Sequence, residues 1–344
     1  MNILVTATHV PFIQGGAEQH MQGLVRALRQ HGHRVELLRI PFQFNPASAI
    51  ENAMTFTQNL DMTRPNGIEI DQVISLQFPS YGLSHPNHRI WLMHQHRAVY
   101  DLYDPKNAPE DLKQLKSHIQ AFDQRSFANA KKRFANSKNV AQRLYTHNQT
   151  QAEPLYHPPP MADHFFCEQD QGYIYCPSRL ETLKRQSLLI QAVARSKSSR
   201  LKVLISGTGG QQAQLEQLIE QHQLGDQIRL LGHVSDAQKL TLYANATAVF
   251  FAPFDEDYGY VTLEAMLSAK PIITCNDAGG VLEFVQHGIN GWVTDPTPEA
   301  IAEVLTTITP GSDSVRQLGR NALQAYSAKN ITWTNVVKKL TEER

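Results

Sequence analysis

Short apolar runs that suit a strand alternate with longer stretches whose apolar positions recur at helical spacing, from one end of the chain to the other. Residues 2–7 form the first such run, a Gly-Gly loop follows, and residues 17–31 then repeat apolar side chains every three or four positions. Residues 34–40, 71–76, 89–94 and 133–136 read as further strands, with helices over 109–130 and 138–147. Alternation of this kind predicts parallel sheets covered by helices, because each strand must cross over before the next can pair with it.

The pattern breaks once. Tyr156-His157-Pro158-Pro159-Pro160 can continue neither a helix nor a central strand, since three consecutive prolines donate no backbone hydrogen bond. A second alternating series follows, with strands over 173–176, 201–206, 228–231, 248–252 and 271–275. Its helices are expected over 184–194, 211–222, 236–244, 261–268 and 281–286, and residues 312–344 are helical in pattern. The expected architecture is α/β with two Rossmann-like domains, residues 1–165 and 166–331. Residues 332–344 form a last helix that returns to the first domain with Trp333 at the crossing. Two such domains in series place a ligand where the C-terminal ends of both sheets meet, so an interdomain cleft is the expected site.

Composition narrows the class. With 41% hydrophobic and 19% charged residues in 344, each half has enough apolar side chains for its own core. Lys plus Arg and Asp plus Glu both number 32, so bulk charge gives no argument for nucleic acid. No run approaches the roughly 18 apolar residues of a membrane span. The opening MNILVTATHVPFIQGG reads as a first core strand and not as a signal peptide. Cys167, Cys176 and Cys275 lack metal-ligand spacing, and an odd number argues against a disulfide framework; a cytoplasmic location is expected. Twelve of the 15 histidines precede residue 165. For most of them the expectation is a polar surface without special chemistry.

The chemistry concentrates in four places. Ala252-Pro253-Phe254-Asp255-Glu256-Asp257-Tyr258-Gly259-Tyr260-Val261-Thr262-Leu263-Glu264-Ala265-Met266 reads as a strand end, a polar loop and a helix start. Unpaired amides at such a start can hold a phosphate. Glu256 before the helix and Glu264 within it can accept from two sets of hydroxyls, or can serve respectively as a helix-dipole partner and a surface residue. Arg179, Lys184 and Arg185, after the first strand of the second half, would neutralise a diphosphate or form a solvated basic loop. Gly15-Gly16 and Gly207 lie in glycine turns after strands, where backbone can approach a ligand or simply turn; neither turn is G-x-G-x-x-G. His94 ends the strand RIWLMH, with His96 and Arg97 beyond it, and His-x-His lacks a third metal ligand.

In this order these segments resemble glycosyltransferase family 4, retaining enzymes of the GT-B fold, over essentially the whole chain. The E-x7-E element matches Glu256 and Glu264 in EDYGYVTLEAM, followed by KPIIT and AGGVLEFVQHGINGWV; the R-x4-K element matches Arg179 and Lys184 in SRLETLKRQSLLIQAV. LISGTGG, LLGHVSD, FANSKNVAQRL and GGAEQHMQGLVRALRQHGHRV agree in content and order. The resemblance implies sugar transfer from a nucleotide-sugar donor, with retention, to a saccharide or lipid-linked acceptor in cell-surface glycan synthesis. No metal or other cofactor is implied, Arg179 and Lys184 taking the leaving diphosphate instead. It further implies that Glu256 binds the donor sugar and Glu264 the ribose. Amides around Tyr260, Val261 and Thr262 hold phosphate, joined by Gly15, Gly16 and Gly207, and His94 meets the sugar.

Two positions depart from the family pattern: Arg185 stands where glycine usually follows the lysine, and Ser268-Ala269-Lys270-Pro271 replaces A-x-G-x-P. Competing readings are a nucleotide-sugar epimerase of the same architecture, a dehydrogenase without its dinucleotide fingerprint, and a noncatalytic nucleotide-sugar binder, which would be expected to lose some of the four charged residues. Lys131-Lys132-Arg133 with Lys113 and Lys116 would dock on an anionic membrane surface or form a solvated basic face, the plainer reading.

Overall fold

The computed structural model describes residues 1–12, 15–196 and 201–342. The chain divides into two compact units, Met1–Pro158 with Ile331–Arg344, and Pro159–Asn330. Glu343 and Arg344, the end of the expected helical tail, lie outside the described residues.

The strands of the first unit are β1 (Asn2–His9), β2 (Arg34–Pro41), β3 (Gln72–Ser75), β4 (His88–Leu92), β5 (Lys132–Ala135) and β6 (Glu153–Pro154). They pair in parallel in the order β2-β1-β3-β4-β5-β6. Helices α1 (Gly16–Gln30), α2 (Ala47–Gln58), α3 (Glu110–Asn129) and α4 (Lys138–Asn148) connect them. Every residue of β3 and β4 is buried, as strands covered on both faces require. Helix α1 buries Met21, Leu24, Val25 and Leu28, one face at helical spacing, against Ile3, Val5 and Val35 of β1 and β2.

The second unit contains β7 (Tyr173–Pro177), β8 (Lys202–Ser206), β9 (Ile228–Gly232), β10 (Ala248–Phe250), β11 (Ile272–Cys275) and β12 (Gly291–Thr294). Its helices are α5 (Gln186–Arg195), α6 (Gln212–Gln221), α7 (Asp236–Ala244), α8 (Tyr260–Leu267), α9 (Pro298–Thr307) and α10 (Asp313–Ala328). The sheet is parallel in the order β12-β11-β10-β7-β8-β9. Strand order therefore reverses between β7 and β10, the topological switch point where the loops that follow the two strands diverge and leave a crevice.

The last helix, α11 (Trp333–Thr341), belongs to the first unit. Trp333 meets the rings of Trp91 and His157, and Val336, Val337 and Leu340 are buried in the same core. Its C-terminal carbonyls are satisfied from the sheet: Gln72 donates to Leu340 O at 2.6 Å, buried Arg89 donates to Leu340 O and to Glu342 O, and Lys132 to Glu342 O. Cations at a helix C-terminus also oppose the macrodipole.

Several expectations need correction. Residues 281–286 are not a helix but hold a single 3-10 turn, Gly280–Glu283, because Gly280 N donates sideways to Glu256 O at 2.7 Å. The tail, read as helical over 312–344, is interrupted at Asn330, whose φ is 50°, and the separate last helix expected from 332 follows. Helices α2 and α9 and strands β6 and β12 went unread, being short or weakly periodic. Lys132 and Arg133 are committed to backbone carbonyls, Arg133 to Phe127 O and Ala130 O, and Lys116 lies over the Tyr103 ring, so these residues do not form a freely solvated basic face.

Most histidines outside the segment of His94 and His96 are not buried, as expected, but four depart from that expectation. His20, His85, His88 and His157 are buried, not surface residues. His20 lies against Trp91 and stacks on His157 with centroids 4.0 Å apart. Neither of its ring nitrogens has a hydrogen-bond partner among the described residues. Burial pushes His20 down to about 3 and His88 to about 4, and holds His157 well below its usual range. His96, among Phe42, Phe44 and Phe78, falls to about 4 for the same reason.

His20, His88, His96 and His157 each stay neutral in the folded chain, while their unfolded counterparts take up a proton below about pH 6.5. Stability is thus fully present above that value and lost as pH falls toward 4. Asp123 works in the opposite sense: burial raises it to about 7 although Tyr81 and Tyr100 donate to it. It therefore loses stability as pH rises from about 4 to about 7. Four histidines outweigh one carboxyl through the shared window. In calorimetry the first unit should melt progressively lower from pH 6.5 to 4.5, by several degrees or more. The second unit, with no histidine so depressed among its described residues, should move less. His20→Leu should flatten the slope of the first; equal slopes in both units would contradict this assignment.

Candidate functional site

The groups singled out in the second half of the sequence gather at the switch point of the second sheet. Arg179 and Lys184 follow β7; Glu256 and the start of α8 follow β10. Lys184 Nζ donates to Glu256 Oε2, with side-chain exposures of 17% and 21%. At that partial burial each charge offsets the desolvation of the other, and removing one leaves its partner costly. Lys184 also lies 5.4 Å from the centre of the Phe251 ring. Arg179 is exposed, and its guanidinium makes no ion pair among the described residues.

Helix α8 begins without a side-chain cap. Gly259 precedes it at φ 82°, and a Cβ there would lie 3.0 Å from the Phe251 ring. Glycine therefore sets the angle at which the first-turn amides leave the loop. The Thr262 amide donates to Gly259 O at 3.1 Å. The Thr262 hydroxyl is buried.

Glu264 is 6% exposed, so the surface alternative for it is wrong. Tyr243 donates to its Oε2 at 2.6 Å and Lys239 to its Oε1 at 3.1 Å. Both donors stand four residues apart on α7 and so on one face. Each carboxylate oxygen keeps a further lone-pair direction for a ligand hydroxyl. The sequence reading missed these partners, although the i, i+4 spacing of Lys239 and Tyr243 was visible.

Gly207 has a structural task. At φ 133° its missing Cβ lets Ser178 O approach, since a Cβ would stand 1.8 Å from that oxygen. The loops after β7 and β8 are joined there: Ser178 N donates to Ser206 O and Leu180 N to Thr208 O. The close approach serves loop against loop.

Gly15, Gly16 and His94 belong to the first unit. Gly15 precedes α1 in extended backbone, with open space around its Cβ position, and Gly16 is the first helical residue. His94 follows β4. Its Nδ1 lies 2.8 Å from Gln95 O, an acceptor only, so Nδ1 donates there. Gln95 donates to Asn148 Oδ1, Asn148 to Tyr100 Oη at 3.3 Å, and Tyr100 to Asp123 at 2.7 Å. This buried chain, unread in the sequence, fixes the loop carrying His94. His96 is lodged in its aromatic nest, and Arg97 pairs with Asp101.

Both departures from the family pattern fall on left-handed backbone: Arg185 has φ 53° and Ala269 φ 50°. That is where glycine costs least. Arg185 pairs with both oxygens of Asp277 at 2.7 Å and donates to Ala252 O and Pro253 O at 2.8 Å.

Comparison with known proteins bears on family and fold. Residues 165–325 match the family described as Glycosyl transferases group 1. Human alpha-1,3/1,6-mannosyltransferase ALG2 is 35% identical over 92 residues, 27% of this chain and 22% of that protein. The chain spans less than half the length of the first curated relatives it matches. Among solved structures, sucrose-phosphate synthase from Thermosynechococcus elongatus superposes with a TM-score of 0.78 at 15% identity, covering 98% of this chain and 97% of that one. WaaG, a glycosyltransferase involved in lipopolysaccharide biosynthesis, gives 0.75 at 16% identity over 98% and 99%.

Ala269 bears its left-handed cost without the side-chain bonds that Arg185 has. Ala269→Gly should stabilise the second unit by about 0.5–1 kcal/mol, the left-handed strain of alanine less the extra entropy of glycine. Chemical denaturation measures it, and an unchanged or lower midpoint would mean that the turn is not strained.

Proposed function

We propose that this chain, whose residues 165–325 match the glycosyl transferases group 1 family and whose fold is that of GT-B enzymes, transfers a sugar from a nucleotide-sugar donor with retention of anomeric configuration, using fixed cations in place of a metal. The observation that carries the reading is the Lys184–Glu256 pair at the switch point, beside exposed Arg179 and the uncapped start of α8.

An ammonium held against a carboxylate is charged and in place before the ligand arrives. A diphosphate draws Lys184 toward itself, since two anions compete for one cation, and Glu256 is then released to accept donor-sugar hydroxyls. Arg179 offers the fork geometry that matches phosphate oxygens. As the bond from the anomeric carbon to the phosphate oxygen breaks, negative charge grows on the leaving diphosphate, where Arg179, Lys184 and the α8 amides meet it. The acceptor oxygen bonds to the anomeric carbon on the face being vacated, and its proton passes to the departing phosphate. Nothing in this step asks for a protein base, unlike an inverting mechanism, which needs one across the ring. Glu264, oriented by Tyr243 and Lys239, is the ribose anchor.

The acceptor is a saccharide or a lipid-linked saccharide and the product a cell-surface glycan. The partial identity to ALG2, a mannosyltransferase, supports sugar transfer as the reaction class. Among the described residues no helix is long and apolar enough to cross a membrane, and contact with a membrane-borne acceptor would be peripheral.

Incubation with UDP-, GDP- and ADP-sugars should release nucleoside diphosphate, and NMR should find donor and product with the same anomeric configuration. Arg179→Ala should lower turnover ~10²-fold or more, about 2.7 kcal/mol of barrier, with melting unchanged; Lys184→Ala should lower turnover as much and also lower melting, because Glu256 loses its partner. Glu256→Gln should slow turnover while free nucleoside diphosphate binds no more weakly. Glu264→Gln should weaken nucleotide binding itself. An inverted product would refute the mechanism, and equal loss of nucleotide affinity in both glutamate variants would refute their division of labour.

A further inference from the structure

Arginine at 185 occupies a backbone conformation that glycine would hold more easily, and four guanidinium hydrogen bonds accompany it. We infer that Arg185 is a positioning residue for the donor site: it clamps the loops after β7, β10 and β11 together so that Lys184 and Glu256 keep their places. The inference rests on the reading of those two residues as donor ligands.

The clamp joins the elements that carry the ligands. Arg185 adjoins Lys184. Its Nε and Nη2 donate to Ala252 O and Pro253 O, four and three residues before Glu256. Its Nη1 and Nη2 donate to the Asp277 carboxylate, and Asp277 O in turn accepts from Asp255 N at 2.9 Å. Glu256 N donates to Ala278 O at 3.2 Å, so the loop after β11 supports the loop after β10 directly. Asp277 occupies the guanidinium with a bidentate pair at 17% and 29% exposure. Arg185 is therefore already neutralised and tied down, unlike Arg179, and is poorly suited to serve as a phosphate ligand itself.

The loops after β7 and β10 are also linked by Phe254 N donating to Leu183 O at 2.8 Å and by the Lys184–Glu256 pair. A diphosphate that draws Lys184 away opens that pair, so the charge link between the loops is lost when the site is occupied. The Arg185 clamp involves none of Arg179, Lys184, Glu256 and Glu264 and survives binding. It confines Lys184 and Glu256 to the geometry that binding and transfer need, and small misplacements there are expensive.

The test compares Arg185→Gly, Arg185→Lys and Asp277→Asn with the unaltered chain. Readouts are calorimetric titration with UDP, GDP, ADP and inorganic pyrophosphate, turnover at saturating donor, and hydrogen exchange at Phe254, Asp255 and Glu256. Glycine relieves the left-handed backbone, so Arg185→Gly separates loop positioning from stability. It should weaken diphosphate binding and lower turnover roughly 10-fold or more, and these amides should exchange faster. Arg185→Lys, which cannot span all three acceptors, should recover part of the loss. Asp277→Asn should act in the same direction, and adding it to Arg185→Gly should cost little more. Val315→Ala, a core change elsewhere in the second unit, should lower melting and leave affinity alone. Wild-type affinity, turnover and exchange in Arg185→Gly, while Lys184→Ala is impaired, would overturn the clamp and leave the donor site standing. An affinity loss in Val315→Ala equal to that in Arg185→Gly would also overturn it. If the unaltered chain binds no diphosphate at all, the donor reading fails and the clamp with it.

Discussion

An ammonium and a carboxylate, each four-fifths buried, meet at the place where the strand order of the second sheet reverses. Neither charge would be tolerable there alone, and together they are a stored binding opportunity. At 4 Å and an effective dielectric near 20, a unit charge pair is worth about 4 kcal/mol, so a polyanionic ligand can compete for Lys184 on equal terms. The surroundings follow from this pair. Gly259 turns the uncapped start of α8 toward the loop, Arg185 and Asp277 tie the flanking loops, and Tyr243 with Lys239 orients Glu264 from the next helix.

The α/β class was legible because burial on both faces imposes apolar runs at strand length, as in 2–7 and 173–176, and because helix α7 carries its boundary in Ser235 and Gln238, whose reciprocal bonds form a capping box. Short edge strands such as β6 and β12 have too few residues to show a period, and 281–286 looks helical until Gly280 is seen giving its amide to Glu256. Arg179, Lys184, Glu256 and Glu264 could be named from spacing along the chain. Lys184 pairing with Glu256, 72 positions away, could not, because that contact is created by the sheet order.

The same limit explains the histidines and the polar chains. His20 and His157 are 137 residues apart and stack only because α1 and the segment before the linker converge over Trp91. Asp123 faces outward or inward on α3 according to which side chains await it, and Tyr81 and Tyr100 become visible only in the fold. Arg185 is the intermediate case: its departure from the family pattern was visible in the sequence, its left-handed backbone and its four bonds were not.

Crystallographic determination of the chain with a bound nucleoside diphosphate tests the central claim most directly. The account predicts phosphate oxygens within about 3 Å of Arg179 and Lys184 and of an amide at the start of α8. It also predicts ribose hydroxyls on Glu264 and the Lys184–Glu256 pair opened. A diphosphate bound away from both cations, with that pair still closed, would contradict it.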